Sequence, residues 1–396
     1  MHQETLSARA STKIWGLSLA HFVTDLYSPV LTAILPLLVL NFGYTYLLAG
    51  LLVTAYNLTS SMAQPLIGWL FDKRGRGIHV SVSLLISAFF ISLIGLTSVY
   101  PLILLFAILA ALGHASFHPS GLAQVGAECT DCNRGRLMSY FVIGGNFGYA
   151  IGPLLAGMAI GWLGFGGLAL FFLPGFIMAL LARRIIPSME NPPAPPSGER
   201  AAGSGVIPVT ILVLGAALRA WAIFASIAYI PPLLIQRGLD LVLATGLVTA
   251  MLLAGVAGQV AGGVLSDRYG RKEYSILGMA MAIPFFLLFI STTGLLSYLA
   301  LLLFGMTLWS TFAVTVAIAQ EMMPRNIGLA SGLVLGLAVG GGGIGVAVTG
   351  ALADATSLSS ALVLLPVPIL AAIGCFLILP YPWRTIGRKR MRSAGK

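Results

Sequence analysis

Long apolar runs separated by short polar segments make up most of the chain. A transmembrane helix needs about 20 consecutive apolar residues to cross a hydrocarbon core about 30 Å thick. Because lipid offers the backbone no hydrogen-bond partners, each such run should be helical. The pattern therefore predicts an all-α membrane protein with twelve transmembrane helices, at residues 14–41, 45–71, 78–99, 101–127, 136–161, 163–185, 208–236, 241–266, 273–293, 295–321, 327–352 and 359–380.

The charge distribution predicts how these spans are oriented. Charged residues form 9% of the chain, compared with about 25% in soluble domains. If both termini are cytoplasmic, 20 of the 22 Lys and Arg residues fall on cytoplasmic segments, and only Arg219 and Arg237 do not. This asymmetry follows the positive-inside rule. The net charge of +10 then faces the anionic inner leaflet rather than a nucleic acid. We expect a multi-pass protein of the inner (plasma) membrane.

A segment rich in Pro, Gly and Ser, residues 186–205, divides six spans from six spans. Such a composition is typical of a flexible linker. The predicted organisation is an N-terminal six-helix bundle at 1–185, a cytoplasmic linker at 186–207, a C-terminal six-helix bundle at 208–380 and a basic cytoplasmic tail at 381–396.

The two halves share a repeated motif. GWLFDKRGRG at 68–77 returns as GGVLSDRYGRK at 262–272, with an offset of 195 residues. Each copy lies where an apolar run ends, which indicates a tandem duplication with a polar turn at the same place in each half. The motif residues are Gly68, Asp72, Gly75 and Arg76 in the first copy, and Gly263, Asp267, Arg268, Gly270 and Arg271 in the second.

The fifth span is rich in glycine, in the stretch GGNFGYAIGPLLAG at 144–157, and GLAVGGGGIGVAVTG at 336–350 is related to it by nearly the same offset. Small residues let helix backbones approach closely in a bilayer, so both spans should be tightly packed helices. The prominent positions of the fifth span are Gly148, Gly152, Pro153 and Gly157.

These motifs resemble those of the major facilitator superfamily of transporters. The repeated loop is similar to the loop 2–3 signature of that family, and the fifth span resembles the motif of its antiporter branch. The stretches 19–38 and 113–157 look like the fosmidomycin-resistance group of drug efflux transporters, a narrower resemblance that covers mainly the first half. The resemblance implies a 6+6 pseudo-symmetric fold, in which spans 1, 4, 7 and 10 line a central cavity and the repeated loops act as gates.

Five ionisable residues lie deep in predicted spans: His21, Asp25, His114, His118 and Arg219. Ionisable groups are costly in a membrane and are usually functional there. His21 and Asp25 are one helical turn apart and share a face. They are interpreted as a proton or substrate site, with a polar pair that pins span 1 to a neighbour as the alternative.

His114 and His118 have the same spacing, which suits proton or substrate contact or a packing hydrogen bond. A metal would need a third ligand, and Asp25 could supply one only if spans 1 and 4 touch, so we expect no metal and no cofactor. Arg219 is interpreted as the partner of an anionic substrate group or of Asp25. Asn57 and Asn146 are weaker candidates for the cavity, because buried amides also serve as packing contacts.

The predicted function is a proton-coupled secondary transporter, a probable antiporter that exports a small organic compound or drug by alternating access. A proton-coupled importer of an organic anion is the alternative, and a non-transporting receptor is a remote one. We expect no enzymatic activity, since no nucleotide-binding loop or catalytic set is found in the sequence. The expected partners are protons, a small molecule of anionic or amphiphilic character and the lipid bilayer, and the chain is expected to act as a monomer.

Overall fold

The computed structural model describes residues 2–74, 77–128, 134–186, 205–323 and 327–383, without the side chains of 2–11, 72, 134–136 and 327–328. These residues form helices and no strand, which confirms the all-α prediction. The predicted linker and the predicted basic tail lie mostly outside the described residues.

One, two or three consecutive helices lie at each of the twelve predicted spans. The first half contains α1 (His2–Leu26), α2 (Val30–Leu40), α3 (Tyr46–Arg74), α4 (Val80–Ile94), α5 (Tyr100–Glu128), α6 (Arg134–Leu163), a 3₁₀-helix (Phe165–Phe171) and α7 (Phe172–Ile185). The second half contains α8 (Val206–Gln236), α9 (Leu241–Tyr269), α10 (Arg271–Ser291), α11 (Gly294–Met322), α12 (Ile327–Gly332), a π-helix (Leu333–Ala338), α13 (Val339–Ala355), α14 (Leu358–Val363) and α15 (Pro366–Ile378).

Ten of the described segments are long and apolar enough to cross a membrane, and α4 is a shorter apolar helix. Four predicted spans are not one continuous α-helix, and in span 6 a 3₁₀-helix precedes α7. Span 1 divides into α1 and α2 just before Val30, where Pro29 lacks a backbone N–H and restricts the residue before it. A π-helix interrupts span 11, and span 12 consists of α14 and α15.

The chain forms two compact units. Unit 1 comprises Met1–Tyr44, Leu52–Ser197 and Leu234–Thr249, and unit 2 comprises Thr45–Leu51, Gly198–Leu233 and Ala250–Lys396. Unit 2 therefore includes the start of α3, and unit 1 includes the start of α9.

The glycine-rich helices pack closely against the first helix of each repeat. A Cβ atom at Gly148 would lie 1.9 Å from the carbonyl oxygen of Phe22, so only glycine lets α6 approach α1 this closely. In unit 2, a Cβ atom at Gly345 would lie 2.0 Å from the Trp221 ring of α8. Close contacts of this kind hold α1 and α8, which carry the candidate functional side chains, in position.

Candidate functional site

Four of the predicted site residues come together inside unit 1, where α1 meets α5. The Asp25 carboxylate lies 3.1 Å from Nε2 of His21, 3.6 Å from Nε2 of His118 and 4.0 Å from Nδ1 of His114. The exposed fractions of the four side chains are between 9% and 18%. We call these residues the His–Asp cluster. Its assembly satisfies the condition stated above for a third metal ligand, because spans 1 and 4 do touch.

A backbone carbonyl of α6 fixes the orientation of His21. Nδ1 of His21 lies 2.8 Å from the carbonyl oxygen of Phe141, and the two rings stack with centroids 4.1 Å apart. Because a carbonyl oxygen only accepts hydrogen bonds, Nδ1 must carry the proton. In the neutral imidazole, Nε2 therefore presents a lone pair to the carboxylate of Asp25.

The two histidines of α5 contact each other as well as Asp25. Their Nε2 atoms are 3.0 Å apart, so one of these nitrogens carries a hydrogen and donates to the other. Oδ1 of Asp25 is buried, and it accepts no hydrogen bond from any residue that the structure describes. Among the described residues, Asp25 forms ion pairs with these three histidines, so the net charge of the cluster depends on how many protons it holds.

Arg219 of α8 is the centre of a different site, in unit 2. Its side chain is almost fully buried, and Nη1 donates to the hydroxyls of Thr311 at 3.1 Å and Thr315 at 3.4 Å on α11. The guanidinium carbon lies 5.2 Å from the ring centre of Phe312. Nε has no hydrogen-bond partner among the described residues. The described contacts within unit 2 are thus with hydroxyls and a ring, and an ion pair with Asp25 stays a prediction.

The remaining cavity candidates lie on other helices. Asn57 is buried on α3, and Asn146 is half-buried on α6. Gly152 and Gly157 permit close contacts of α6 with Leu26 of α1 and Thr245 of α9. Pro153 lies inside α6, which is described as one helix from Arg134 to Leu163. A transport role for these residues stays a prediction.

The two copies of the loop motif are described to different extents. In the first copy, Gly68 lies on α3, whereas Gly75, Arg76 and the side chain of Asp72 are outside the described part. In the second copy, Gly263, Asp267 and Arg268 lie on α9, and Arg268 lies over the ring of Tyr269. Gly270 separates α9 from α10 with a φ of +108°, a conformation that favours glycine.

Ion pairs join helix ends beside the motif. Arg271 contacts Asp267 at 3.2 Å and Glu321 at 2.9 Å, and Tyr381 donates a hydrogen bond to Glu321. Burial, together with the hydrogen bond to Glu321, raises the pKa of Tyr381, so its hydroxyl keeps its proton at neutral pH. In unit 1, Lys13 contacts Glu128 at 2.8 Å. The side chains of Arg134, Arg136 and Arg325, which are near these glutamates in sequence, lie outside the described part.

Two interactions were missed by the sequence analysis. Asp354 accepts hydrogen bonds from the backbone N–H groups of Tyr46 and Leu47, both at 2.8 Å, and so caps the start of α3 within unit 2. Lys272 is 2% exposed and donates to the carbonyl oxygens of Leu377 and Leu379 at the end of α15. The role of Asp354 could have been suspected from the sequence, because it is a lone acidic residue at the end of an apolar run.

Comparison with known proteins agrees with this architecture. The family model of the Major Facilitator Superfamily matches residues 17–346 and 212–393. The chain is 32% identical to the fosmidomycin resistance protein of Escherichia coli (strain K12) over 371 residues, which cover 89% of each chain. It is 30% identical to the uncharacterized MFS-type transporter YfnC of Bacillus subtilis (strain 168), covering 91% of each. The resemblance to the fosmidomycin-resistance group therefore extends through both halves, beyond the first half from which it was noted.

Solved structures of low sequence identity share the fold. A bacterial homolog of the human lysosomal transporter Spinster, in an inward-facing and occupied conformation, superposes with a TM-score of 0.81 at 17% identity, covering 92% of this chain and 96% of that one. The nucleoside transporter NupG superposes with a TM-score of 0.74 at 12% identity, covering 94% of this chain and 100% of that one.

Proposed function

Because the chain belongs to the Major Facilitator Superfamily, a family of membrane transporters, we propose that it is a proton-coupled antiporter that exports a small organic compound. The observation that carries this proposal is the Asp25 carboxylate, enclosed by three imidazoles on helices of unit 1. Ionisable groups held inside membrane helices typically mark proton relays and substrate pathways.

The geometry of His21 supports a proton site between the two residues of α1. Nε2 of neutral His21 and Oδ2 of ionised Asp25 are both acceptors, and they lie 3.1 Å apart. A proton taken up at this position converts a contact between two lone pairs into a charge-assisted hydrogen bond. In the proposed cycle, the cluster takes a proton from outside, substrate leaves, and the proton is released to the cytoplasm.

The remaining observations support a proposal for the location of the protein and for the direction of transport. We propose that both termini are cytoplasmic in the inner membrane, because 20 of its 22 Lys and Arg residues then fall on cytoplasmic segments. We also propose that the protein acts as a monomer. Export of a drug-like molecule is supported by similarity to a protein named for fosmidomycin resistance.

The experiment is transport by the purified protein in liposomes that contain a pH-sensitive dye, with fosmidomycin as the first candidate compound. An antiporter should accumulate the compound when the lumen is acidic, and addition of the compound should make the lumen more alkaline. Protein-free liposomes control for passive permeation. Transport that is equal with and without a proton gradient would contradict proton coupling.

A second candidate function, import of an organic anion together with protons, is favoured by Arg219. This guanidinium is buried, and its Nε has no partner among the described residues, so it suits a carboxylate or phosphonate group. The same liposomes distinguish the two functions by the direction of the pH change in the lumen. An importer should accumulate the compound when the outer solution is acidic, and the lumen should acidify as the compound enters.

A further inference from the structure

We propose that the His–Asp cluster also binds a divalent transition-metal ion of the zinc class, as a competing ligand rather than a resident cofactor. One nitrogen of His21, one carboxylate oxygen of Asp25 and one nitrogen of His118 lie within 4.8 Å of one another. The ligands we propose are Nε2 of the two histidines, which face Asp25, and the carboxylate. His114 lies beside them as a fourth candidate ligand. All four belong to unit 1.

The spacing of the ligand atoms fits a tetrahedral ion. Zinc binds imidazole nitrogen at about 2.1 Å, which places the ligands of a tetrahedral site about 3.4 Å from one another. The observed spacings are 3.1 Å between His21 and Asp25, 3.6 Å between His118 and Asp25, and 3.0 Å between His118 and His114. The first two spacings involve different oxygens of Asp25, Oδ2 toward His21 and Oδ1 toward His118, and the ligand atoms lie up to 4.8 Å apart. Binding of an ion therefore requires the carboxylate to turn and the imidazoles to close around it.

The contacts around His21 are those of a metal ligand. A histidine that binds a metal donates its other ring N–H to a carbonyl or carboxylate, which fixes the tautomer and directs the free lone pair at the ion. Nδ1 of His21 makes this hydrogen bond to Phe141, and stacking on the Phe141 ring restricts rotation. The bond leaves Nε2 available on the side of Asp25.

The carboxylate of Asp25 gives a second, independent indication of a metal site. Oδ1 of Asp25 is buried and accepts no hydrogen bond among the described residues, although a buried oxygen of this kind normally has a partner. A cation between Oδ1 and His118 would supply one. Imidazole ligands select zinc, cobalt, nickel or copper over magnesium and calcium, which prefer sites made only of oxygen.

Binding of the ion has a consequence for transport, and this consequence alone rests on the proposed function. The ion would occupy the lone pairs of His21 and Asp25 between which the coupling proton is proposed to bind. Zinc ions should therefore inhibit proton-driven transport, and a chelator should reverse the inhibition.

The test is a titration of the full-length protein in detergent with Co²⁺, whose visible absorption reports tetrahedral coordination by nitrogen and oxygen. The protein carries an affinity tag without histidine and is first treated with a chelator and desalted. We expect one Co²⁺ per chain, displaced by Zn²⁺. Asp25→Asn and His118→Gln should each weaken binding at least about tenfold, because each removes a ligand and even loss of a group that only hydrogen-bonds to a ligand costs about that much.

The matched control is His79→Gln, because His79 lies before α4 and contacts the carbonyl oxygen of Ile186. It should bind Co²⁺ like the wild type. Thermal unfolding without metal checks that each variant folds, and His21→Gln replaces any variant that does not. The proposal is overturned if the wild type binds no Co²⁺, or if binding is unchanged in the folded cluster variants.

The outcome also separates this proposal from the transport function. Proton-driven transport without Co²⁺ binding overturns the metal site alone. Co²⁺ binding with transport that ignores the proton gradient contradicts proton coupling alone.

Discussion

Units 1 and 2 each place ionisable groups where the first span of the repeat meets the fourth span, which is α1 with α5 in unit 1 and α8 with α11 in unit 2. The side chains at these two places differ in their chemistry. In unit 1, α1 brings Asp25 to the imidazoles of α5. In unit 2, α8 brings Arg219 to the hydroxyls of α11. The residues 195 positions after His21 and Asp25 are Ala216 and Ala220. The duplication therefore preserves the pairing of the helices and not the side chains that the pairing holds.

The residues that stabilise the fold of each repeat are therefore different from the ionisable residues proposed to act in transport. The glycine contacts that fix α1 and α8 recur in both units, so they serve the fold of each repeat. The carboxylate with its imidazoles occurs in unit 1, and the buried guanidinium in unit 2. A proton and an anionic group would thus be recognised by different parts of the chain. The predictions below test whether this division of roles is correct.

The largest effect is expected from Asp25→Asn, which removes the acidic group of unit 1 while keeping its shape. An amide neither carries the charge nor takes up a proton, so proton-driven transport in liposomes should fall to the level of protein-free vesicles. The matched control is Asp240→Asn, an exposed residue that accepts a hydrogen bond from the N–H of Leu243 at the start of α9. Asparagine caps a helix about as well as aspartate, so this control should transport normally.

If Asp25→Asn still shows full transport driven by the proton gradient, the proposed proton site in unit 1 is wrong. The His–Asp cluster would then be a polar contact that holds α1 against α5.

The next largest effect is a loss of folding stability in Gly→Ala variants. These variants compare the close glycine contacts of unit 1 with those of unit 2. In Gly148→Ala, the new Cβ would lie 1.9 Å from a backbone oxygen of α1, so the helices must separate. We expect a loss of about 1–3 kcal/mol or more, as for other overpacked positions. In Gly345→Ala the obstacle is Cγ of Trp221, so the ring would have to leave its position and lose its hydrogen bond to Thr349, and we expect a loss of similar size.

Thermal unfolding in detergent measures both variants, with Gly374→Ala as the control because its Cβ would meet no atom within 4 Å. Equal melting temperatures for Gly148→Ala and Gly374→Ala would contradict the close contact of α6 with α1.

The sequence was sufficient to predict the helices and the repeat, because a bilayer forces long apolar runs to be helical and a duplicated loop marks equal positions. It also identified the four residues of the His–Asp cluster, since ionisable groups stand out in apolar runs. Their partners were not predictable in the same way. The contact of His21 with Phe141 and that of Arg219 with Thr311 depend on helix rotation and on side-chain conformation, which the order of apolar residues does not specify.

A selective effect is expected from Arg219→Gln in unit 2. If the guanidinium binds an anionic group of the substrate, the KM for anionic compounds should rise about tenfold, the effect of losing about 1.4 kcal/mol of charged hydrogen bonding. Transport of neutral compounds should change little. Uptake of an anionic and a neutral compound by the same liposomes measures the difference.

Protein stability gives the second readout for Arg219→Gln. Removing one partner of a buried ion pair is strongly destabilising, because the other charge is left unpaired. If Arg219 binds the substrate, it has no acidic partner when the site is empty. The melting temperature of Arg219→Gln without substrate should then stay the same or rise. A large fall in melting temperature, with equal loss of anionic and neutral transport, would assign Arg219 a structural role.

The smallest effect is expected in the repeated loop, where the comparison of the two halves is most direct. Asp267 is 68% exposed, and its partner Arg271 also contacts Glu321 at 2.9 Å, so Asp267→Asn should reduce transport by less than about twofold. Asp72→Asn should reduce transport more strongly, if the first copy holds the gate, without lowering the amount of protein inserted in the membrane. Reconstituted transport normalised to inserted protein measures both. Normal rates in Asp72→Asn would show that the carboxylate of the first copy has no part in gating, and equal losses would show that the duplication preserves this role in both halves.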